Sequence, residues 1–419
     1  MNKLFSNIKG DAFGGITAGV VALPLALAFG VSSGLGPSAG LYGAIFISFF
    51  AALFGGTNTQ ISGPTAPMTA VSMVIIAGIV AANDGDVSKA LPSILMVFLL
   101  AGLMQIGLGF LGLGKYIRYI PYPVVSGFMT AIGLIILLTQ IQPTLGYAPK
   151  NDAEYVNQFK TQGKEVIIEK LLKEEIGEDV MKVDDLSKTI DRAIGINEAD
   201  ILAEAKTLAA KEASGTIGAI KTLPNALKNI NFLELLLSLA TIFIIYGFKR
   251  ITTAVPSTLV ALIVVSAGAI LFGLDYTPIE KIPEGLPIPQ LEMFSSFSFR
   301  SISPYIITAF TLSLLGAIDS LLTSVVADNM TKTKHNSNKE LVGQGIGNSI
   351  AAVFGGIPGA GATIRTVVNI NSGGKTRLSG MIAGVLLLFI LLALGPIASK
   401  IPAAVLSGIL ITVGIGAVS

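Results

Sequence analysis

The chain breaks an apolar run in the same way at two places. Ala51–Gly56 reads AALFGG and leads into TNTQISGPTAPMT, which ends at Thr69. Three hundred positions further on, Ala351–Thr366 reads AAVFGGIPGAGATIRT. Each copy stops at Phe-Gly-Gly, crosses small residues with Gly and Pro, and restarts on a Thr-containing segment. Pro and clustered Gly do not continue a helix. Each copy is therefore a helix end, an extended stretch and a new helix start. In a bilayer such an interruption strands backbone N–H and C=O groups, at several kcal/mol apiece unless protein or ligand satisfies them.

A bilayer is what the composition implies. Of 419 residues, 52% are hydrophobic and 13% charged, where soluble domains carry about 25% charged. Mean hydropathy is +0.74. There is no cysteine, which removes disulfides, thiol catalysis and thiolate metal sites. The single His335 stands in a polar loop, TKTKHNSNKE, and reads as solvated, so a His-based metal site is excluded. A net charge of +2 offers no footprint for nucleic acid. P-loop and HExxH motifs are absent, and no enzyme activity or resident cofactor is expected.

Apolar runs predict twelve membrane segments: Ala12–Gly30, Ala39–Phe54, Thr65–Ala82, Ala90–Leu113, Val124–Leu145, Phe232–Gly247, Val255–Phe272, Tyr305–Ala327, Leu341–Phe354, Thr363–Ile370, Leu378–Leu394 and Ala403–Ala417. Thr363–Ile370 is too short to cross alone and is expected to be a half-helix. With the N-terminus MNKLFSNIKGD in the cytoplasm of a cell whose inner (plasma) membrane holds the chain, the inside connections carry Lys115/Arg118, Lys249/Arg250, Lys332/Lys334/Lys339 and Lys375/Arg377. The outside receives Asp84/Asp86, Asp275, Glu280, Glu284 and Glu292, with Lys89, Lys281, Arg300 and Lys400 as basic exceptions. The positive-inside rule supports this count.

A second pair of motifs sets the symmetry. IPYPVVSGFMTAIG, Ile120–Gly133, resembles IPAAVLSGILITVG, Ile401–Gly414. The matched elements lie at spans three and five, then ten and twelve. An offset of seven is odd, so the second copy is inverted. Inverted repeats with broken helices at the midplane mark secondary transporters. The first copy continues through two further spans whose counterparts do not occur before Ser419. This predicts a fourteen-span, seven-plus-seven inverted-repeat fold, all-α, truncated here after about twelve membrane segments. Residues 1–146 form the first repeat with spans 1–5, residues 229–300 hold spans 6–7 and a loop, and residues 301–419 form the second repeat with spans 8–12. Residues 147–228 hold 15 of the 26 acids and 12 of the 28 bases. They read as a charged, mostly helical extracytoplasmic insertion, with helical spacing at Val166–Leu172 and Ile201–Ala210.

Four features carry chemistry. A helix N-terminus bears roughly half a positive charge, and two such termini meeting at the midplane form an anion site from backbone alone. Gly63-Pro64-Thr65 opens one half-helix; Gly359, Gly361 and Ala362 open the other, ahead of Thr363. Thr65 and Thr363 can cap or donate to an oxyanion; the bland alternative is that the small residues only permit tight helix packing. Arg365 falls in the first turn of the second half-helix, where its charge opposes the dipole; it attracts an anionic substrate, snorkels, or forms a structural ion pair. Asp319, inside span 8 with Thr323 one turn on, suits a hard monovalent cation or proton, or a static pair with Arg365. Asp11 and Asp328 at span ends, and Glu234 near an interface, are expected to reach headgroups or loops. Gln105, Gln140, Gln142, Gln344, Asn348 and Asn369 are expected to be interhelical glue.

ALPLALAFGVSSGLGPSAGLYGA, FGGTNTQISGPTAPMT, NKELVGQGIGN and FGGIPGAGATIRTVVNINSGGKTRLSG together resemble the SulP family of anion transporters, the sulfate permeases. The resemblance covers the whole chain except the insertion. It implies core and gate domains, elevator-like motion, a homodimer, and usually a cytoplasmic STAS domain after the last helix; none follows here. By motif, Thr65 and the Gly361-Ala362-Thr363 turn would contact the anion. Asp319, Thr323, Gly361 and Thr363 would match the sodium site of bicarbonate-type members. Arg365 matches the arginine of sulfate- and chloride-handling members, where bicarbonate-type ones carry a small residue. The expectation is a secondary transporter of sulfate or bicarbonate by sodium or proton symport. The rivals are an uncoupled chloride or anion exchanger, a channel, a dicarboxylate transporter of the same family, or a non-transporting scaffold.

Overall fold

The computed structural model describes residues 4–83, 85–117, 122–176, 197–213, 215–252, 255–295 and 302–418. Asp84, Arg118, Ile120 and Pro121 of the first IP motif, Arg300, and the boundary at 301 lie outside the described residues.

The first repeat is built of α1 (Ile8–Ser33), α2 (Pro37–Phe54), β1 (Ser62–Gly63), α3 (Ala66–Ala82), α4 (Val87–Phe110) and α5 (Tyr122–Thr144). The charged stretch 147–228 follows with α6 (Lys160–Ile176), α7 (Glu198–Glu212) and α8 (Gly215–Lys228), then α9 (Phe232–Ile251) and α10 (Ser257–Leu271). The second repeat runs α11 (Ile306–Thr331), α12 (Ser337–Val353), β2 (Ala360–Gly361), α13 (Thr363–Asn371), α14 (Leu378–Ala398) and α15 (Ala403–Val418). Among the described residues, six stretches, α1, α2, α4 and α9 included, are long and apolar enough to cross a membrane. α3, α10, α15 and Leu378–Ala393 of α14 are shorter apolar helices.

The packing has the symmetry of the repeats. α1 packs on α14 and α13; its counterpart α11 packs on α4 and α3. α2 meets α14 as α12 meets α4, and the self-related pairs α2–α12 and α5–α15 are also in contact. At the centre β1 and β2 pair antiparallel, Ser62 with Gly361 and Gly63 with Ala360. An antiparallel pair is what an inverted repeat places on its own axis, since inversion reverses chain direction. α1–α4 and α11–α14 form one body; α5, α9, α10 and α15 form the other, with α15 bridging α5 and α9.

The breaks do not leave their backbone stranded. Ala362 N donates to Ile61 O at 2.8 Å and Ile357 N to Ala39 O at 3.0 Å. Ile61 N donates to Thr366 Oγ1 at 3.0 Å, and Gly359 N to Asn348 Oδ1 at 2.8 Å. Each bond reaches from a break to another segment, so the interruption is affordable only in the assembled fold.

Of the charged and titratable residues, Asp11 and Glu234 reach loops rather than headgroups, and only His335 needs correction. Asp11 is fully buried, not at a headgroup: Oδ1 accepts from Lys375 N at 2.7 Å and Thr376 N at 2.9 Å, and Oδ2 from Thr376 Oγ1 at 2.7 Å. Glu234 is buried and accepts from Thr277 N at 2.6 Å. His335 is not solvated; its Nδ1 lies 2.7 Å from Asp328 Oδ2 with 5% of its side chain exposed. In each case a loop folds back over the helix end and brings a backbone N–H or ring nitrogen to the carboxylate.

The charged stretch has a small core of Tyr155, Val156, Ala205, Ala209 and Ala213. It is tied to the end of α5 by Leu145 and Tyr147 packed with Ala226, and by the Gln142 amide donating to Thr222 Oγ1. On the other body, Lys211 Nζ donates to Ala81 O at the end of α3, at 3.2 Å.

Candidate functional site

The N-termini of α3 and α13 are formed where the two breaks restart as helix. α3 opens with Thr65 as N-cap and Pro67 in its first turn; α13 opens with Ala362 as N-cap. Neither cap uses its side chain on its own helix, so the first N–H groups of both half-helices keep their capacity for a ligand. Thr65 instead donates to Asp319 Oδ2 at 2.9 Å.

α11 supplies the rest. Asp319, Ser320 and Thr323 lie within five residues of one another and meet both breaks. Thr323 Oγ1 donates to Gly361 O at 3.0 Å and lies 2.8 Å from Thr363 Oγ1. Gly361 N donates to Ser320 Oγ at 3.0 Å. Asp319 is half-buried and Thr363 exposed, while Thr65, Gly361 and Ala362 are buried. The cluster is therefore open on its Asp319–Thr363 side.

Arg365 is 2% exposed, and its Nη2 donates to Pro64 O at 2.6 Å. Among the described residues no ion pair joins it to Asp319. The structure thus brings Thr65 to Asp319, Thr323 to Gly361 and Thr363, and Arg365 to the first break. Asp319, Thr323, Gly361 and Thr363 present only oxygen donors, which suits a hard monovalent cation. Among the described residues no group of three His, Cys, Asp or Glu side chains could hold a metal.

Glycine is required where the breaks touch. A Cβ on Gly359 would lie 2.1 Å from Gly63 O, and one on Gly361 2.2 Å from Gln60 Nε2. Gly63, at φ +150°, has Arg365 Nη1 2.8 Å from where its Cβ would be.

Sequence reasoning missed Glu340 and Gln60 behind the breaks, while Gln105, Gln344 and Asn348 make the bonds between segments expected of them. Glu340 Oε2 accepts from Gly56 N and Thr57 N, and Oε1 from the amides of Gln60 and Gln344, all at 2.8 Å. Asn348 donates to Gly359 O and to Gln105 Oε1, both at 3.0 Å. The available signal was spacing: Glu340, Gln344 and Asn348 recur every fourth residue, one polar face on a short apolar segment.

The model of the sulfate permease family matches residues 8–162 and 194–419. The chain belongs to this family. It is 43% identical over 99% of its length to the bicarbonate transporter BicA of Synechocystis, and 30% identical over 96% to a putative sulfate transporter, YvdB, of Bacillus subtilis. It spans 62% and 63% of the length of these relatives. Among solved structures, the transmembrane domain of a cyanobacterial BicA matches 99% of the chain and 89% of that domain at TM-score 0.79 and 41% identity. SLC26A9, at 19% identity and TM-score 0.72 over 98% of this chain and 58% of its own, shares the fold. The seven-plus-seven inverted-repeat family fold agrees with the symmetric packing of this multi-pass chain.

Proposed function

We propose that the chain is the membrane part of a secondary transporter that moves a small inorganic oxyanion, bicarbonate or sulfate, with sodium or a proton. The observation that carries this reading is the meeting of two half-helix N-termini, at Thr65 and Ala362, beside Asp319 and Arg365. The anion is held by the N–H groups of the two half-helices and the Thr65 and Thr363 hydroxyls. The cation is held by Asp319, Thr323, Gly361 O and Thr363.

Magnitudes favour an anionic ligand. Burying Arg365 costs about 2.5–3.5 kcal/mol by insertion scales, and opposing the helix dipole adds about 0.3–1 kcal/mol. One hydrogen bond from a charged group contributes about 1.5–3 kcal/mol, so the Pro64 carbonyl does not cover the whole cost. A bound anion would. The likeness to BicA points to bicarbonate; the fixed charge of Arg365 points to sulfate, and also supports a second reading, an uncoupled anion exchanger.

In the transport cycle the body of α1–α4 and α11–α14 carries the site past α5, α9, α10 and α15, elevator-like, in a homodimer. The site faces a cell's plasma membrane with the N-terminus in the cytoplasm. The test is uptake of labelled bicarbonate and sulfate into proteoliposomes, with and without a sodium gradient and a pH gradient. Uptake that follows neither gradient supports exchange; no uptake of either anion overturns the reading.

A further inference from the structure

Behind the open face of the site, a buried chain of polar side chains runs from the exit of α2 to the second break. Glu340 closes the exit by accepting Gly56 N and Thr57 N, and its other oxygen accepts the Gln60 amide. Gln60 Oε1 in turn accepts from Ser324 Oγ at 2.8 Å; the same hydroxyl also bonds Ser320 O at 2.9 Å and lies 2.7 Å from Thr57 Oγ1. The Gln60 amide group lies directly against Gly361, occupying the space a Cβ there would need. Gly361 is also the residue whose N–H meets Ser320 and whose carbonyl meets Thr323. Glu340 is 1% exposed, Gln60 4%, and Ser320 and Ser324 fully buried.

We infer that Glu340 and Gln60 are positioning residues: Glu340 orients the Gln60 amide, and Gln60 sets the Gly361 turn, which carries the carbonyl and the half-helix start of the transport site. The chemistry requires one acceptor-only group in this chain. Four donors converge on Glu340, and only a carboxylate accepts from all four. An amide at 340 would turn donors toward donors. A carboxylate at 60 beside the native Glu340 would set two acceptors face to face. Exchanging the two restores a donor–acceptor pair between them and keeps an acceptor for Ser324, and the Gln344 amide, whose Oε1 has no partner among the described residues, turns over to accept from the amide at 340.

This inference rests on the proposed site, but its decisive readout needs no substrate. The chain has no cysteine, so Ile364→Cys places one thiol beside the turn, at a position 69% exposed. The rate of its labelling by a maleimide probe reports the placement of the turn. Gln60→Glu and Glu340→Gln are each built on that background, along with their combination, and compared as full chains in lipid vesicles. Each single variant is expected to change the labelling rate at least fivefold, and the combination to return it within twofold of the parent. Folded single variants that label at the parental rate overturn the inference. So does a combination that labels as the singles do, or that fails to fold along with them. Anion uptake in the same vesicles gives the functional readout: a raised KM in the singles, recovered in the combination. Absence of uptake in the parent counts against the transport reading alone.

Discussion

The guanidinium of Arg365 donates to the carbonyl oxygen of Pro64 at 2.6 Å, a bond between residues 301 positions apart. It joins the second half-helix to the residue just before the first. Its charge therefore belongs to both repeats. Arg365→Ala removes this bond and the charge together and leaves Pro64 O without its donor. Anion affinity is expected to fall at least tenfold, the equivalent of losing one charge-assisted hydrogen bond of about 1.5–3 kcal/mol. Anion-concentration dependence of uptake measures it. Arg365→Lys keeps the charge but not the fork, and is expected to fall between the two.

Asp319→Asn keeps a hydrogen-bond acceptor for Thr65 but removes the negative charge. Uptake is expected to lose its dependence on the cation gradient while anion binding persists. The comparison is initial rate with and without sodium for parent and variant. An unchanged gradient dependence removes Asp319 from the coupling role.

Gly361→Ala places a methyl 2.2 Å from Gln60 Nε2, and Gly359→Ala places one 2.1 Å from Gly63 O. Overpacking in a tight interior costs about 1–3 kcal/mol. The Gly359 variant is expected to be worse, because its clash is with backbone and a side chain cannot turn away. Thermal unfolding midpoints in detergent rank the pair.

Asp11 secures the turn after α13 from the first turn of α1, through two backbone N–H groups and one hydroxyl. Asp11→Ala leaves Lys375 N and Thr376 N without this acceptor, each at about 1–3 kcal/mol when buried. The variant is expected to lower the unfolding midpoint, and Asp11→Asn to lower it less. Hydrogen exchange at Lys375 and Thr376 locates the loss.

The charged stretch 147–228 has its own pH dependence. Burial pushes the Asp152 carboxyl up, but the Tyr155 N–H, the Tyr147 hydroxyl and the other neighbouring donors pull it further down, leaving it below the ordinary value. A depressed carboxyl contributes stability that is full above its unfolded value, about 3.9, and is lost as pH falls through the folded value. Residues 153–157 are expected to lose protection against amide exchange, relative to the intrinsic rate at each pH, from about pH 4 downward. Asp152→Asn should flatten that dependence.

Much of the architecture could be read before any coordinates, because its determinants are local. Phe-Gly-Gly at 54–56 and at 354–356 announces a helix end in any context, and the odd offset between repeats needs only counting. Asp319 stands out as a charge within an apolar run. What escaped depends on contacts across hundreds of residues. Glu340 lies near the start of α12 and resembles an ordinary first-turn acid until Gly56 and Gln60 are brought to it. Asp11 and Glu234 resemble interface residues until the loops at 375–376 and 277 fold onto them. His335 looks solvated because only the fold shows how closely Asp328 approaches. A side chain's own periodicity shows which face it occupies, and nothing about which distant N–H will meet it.

The two-residue pairing of Ser62–Gly63 with Ala360–Gly361 has a consequence for synthesis. The first strand leaves the ribosome about three hundred residues ahead of its partner. At roughly 5–20 residues per second the wait is on the order of 15–60 s. Throughout that interval the nascent first repeat holds an open break in which Gly56 N, Thr57 N, Ile61 N and Pro64 O await partners from the second half. Membrane insertion of this chain must therefore keep that half hydrated, or shielded by the insertion machinery, until the second repeat arrives to close it.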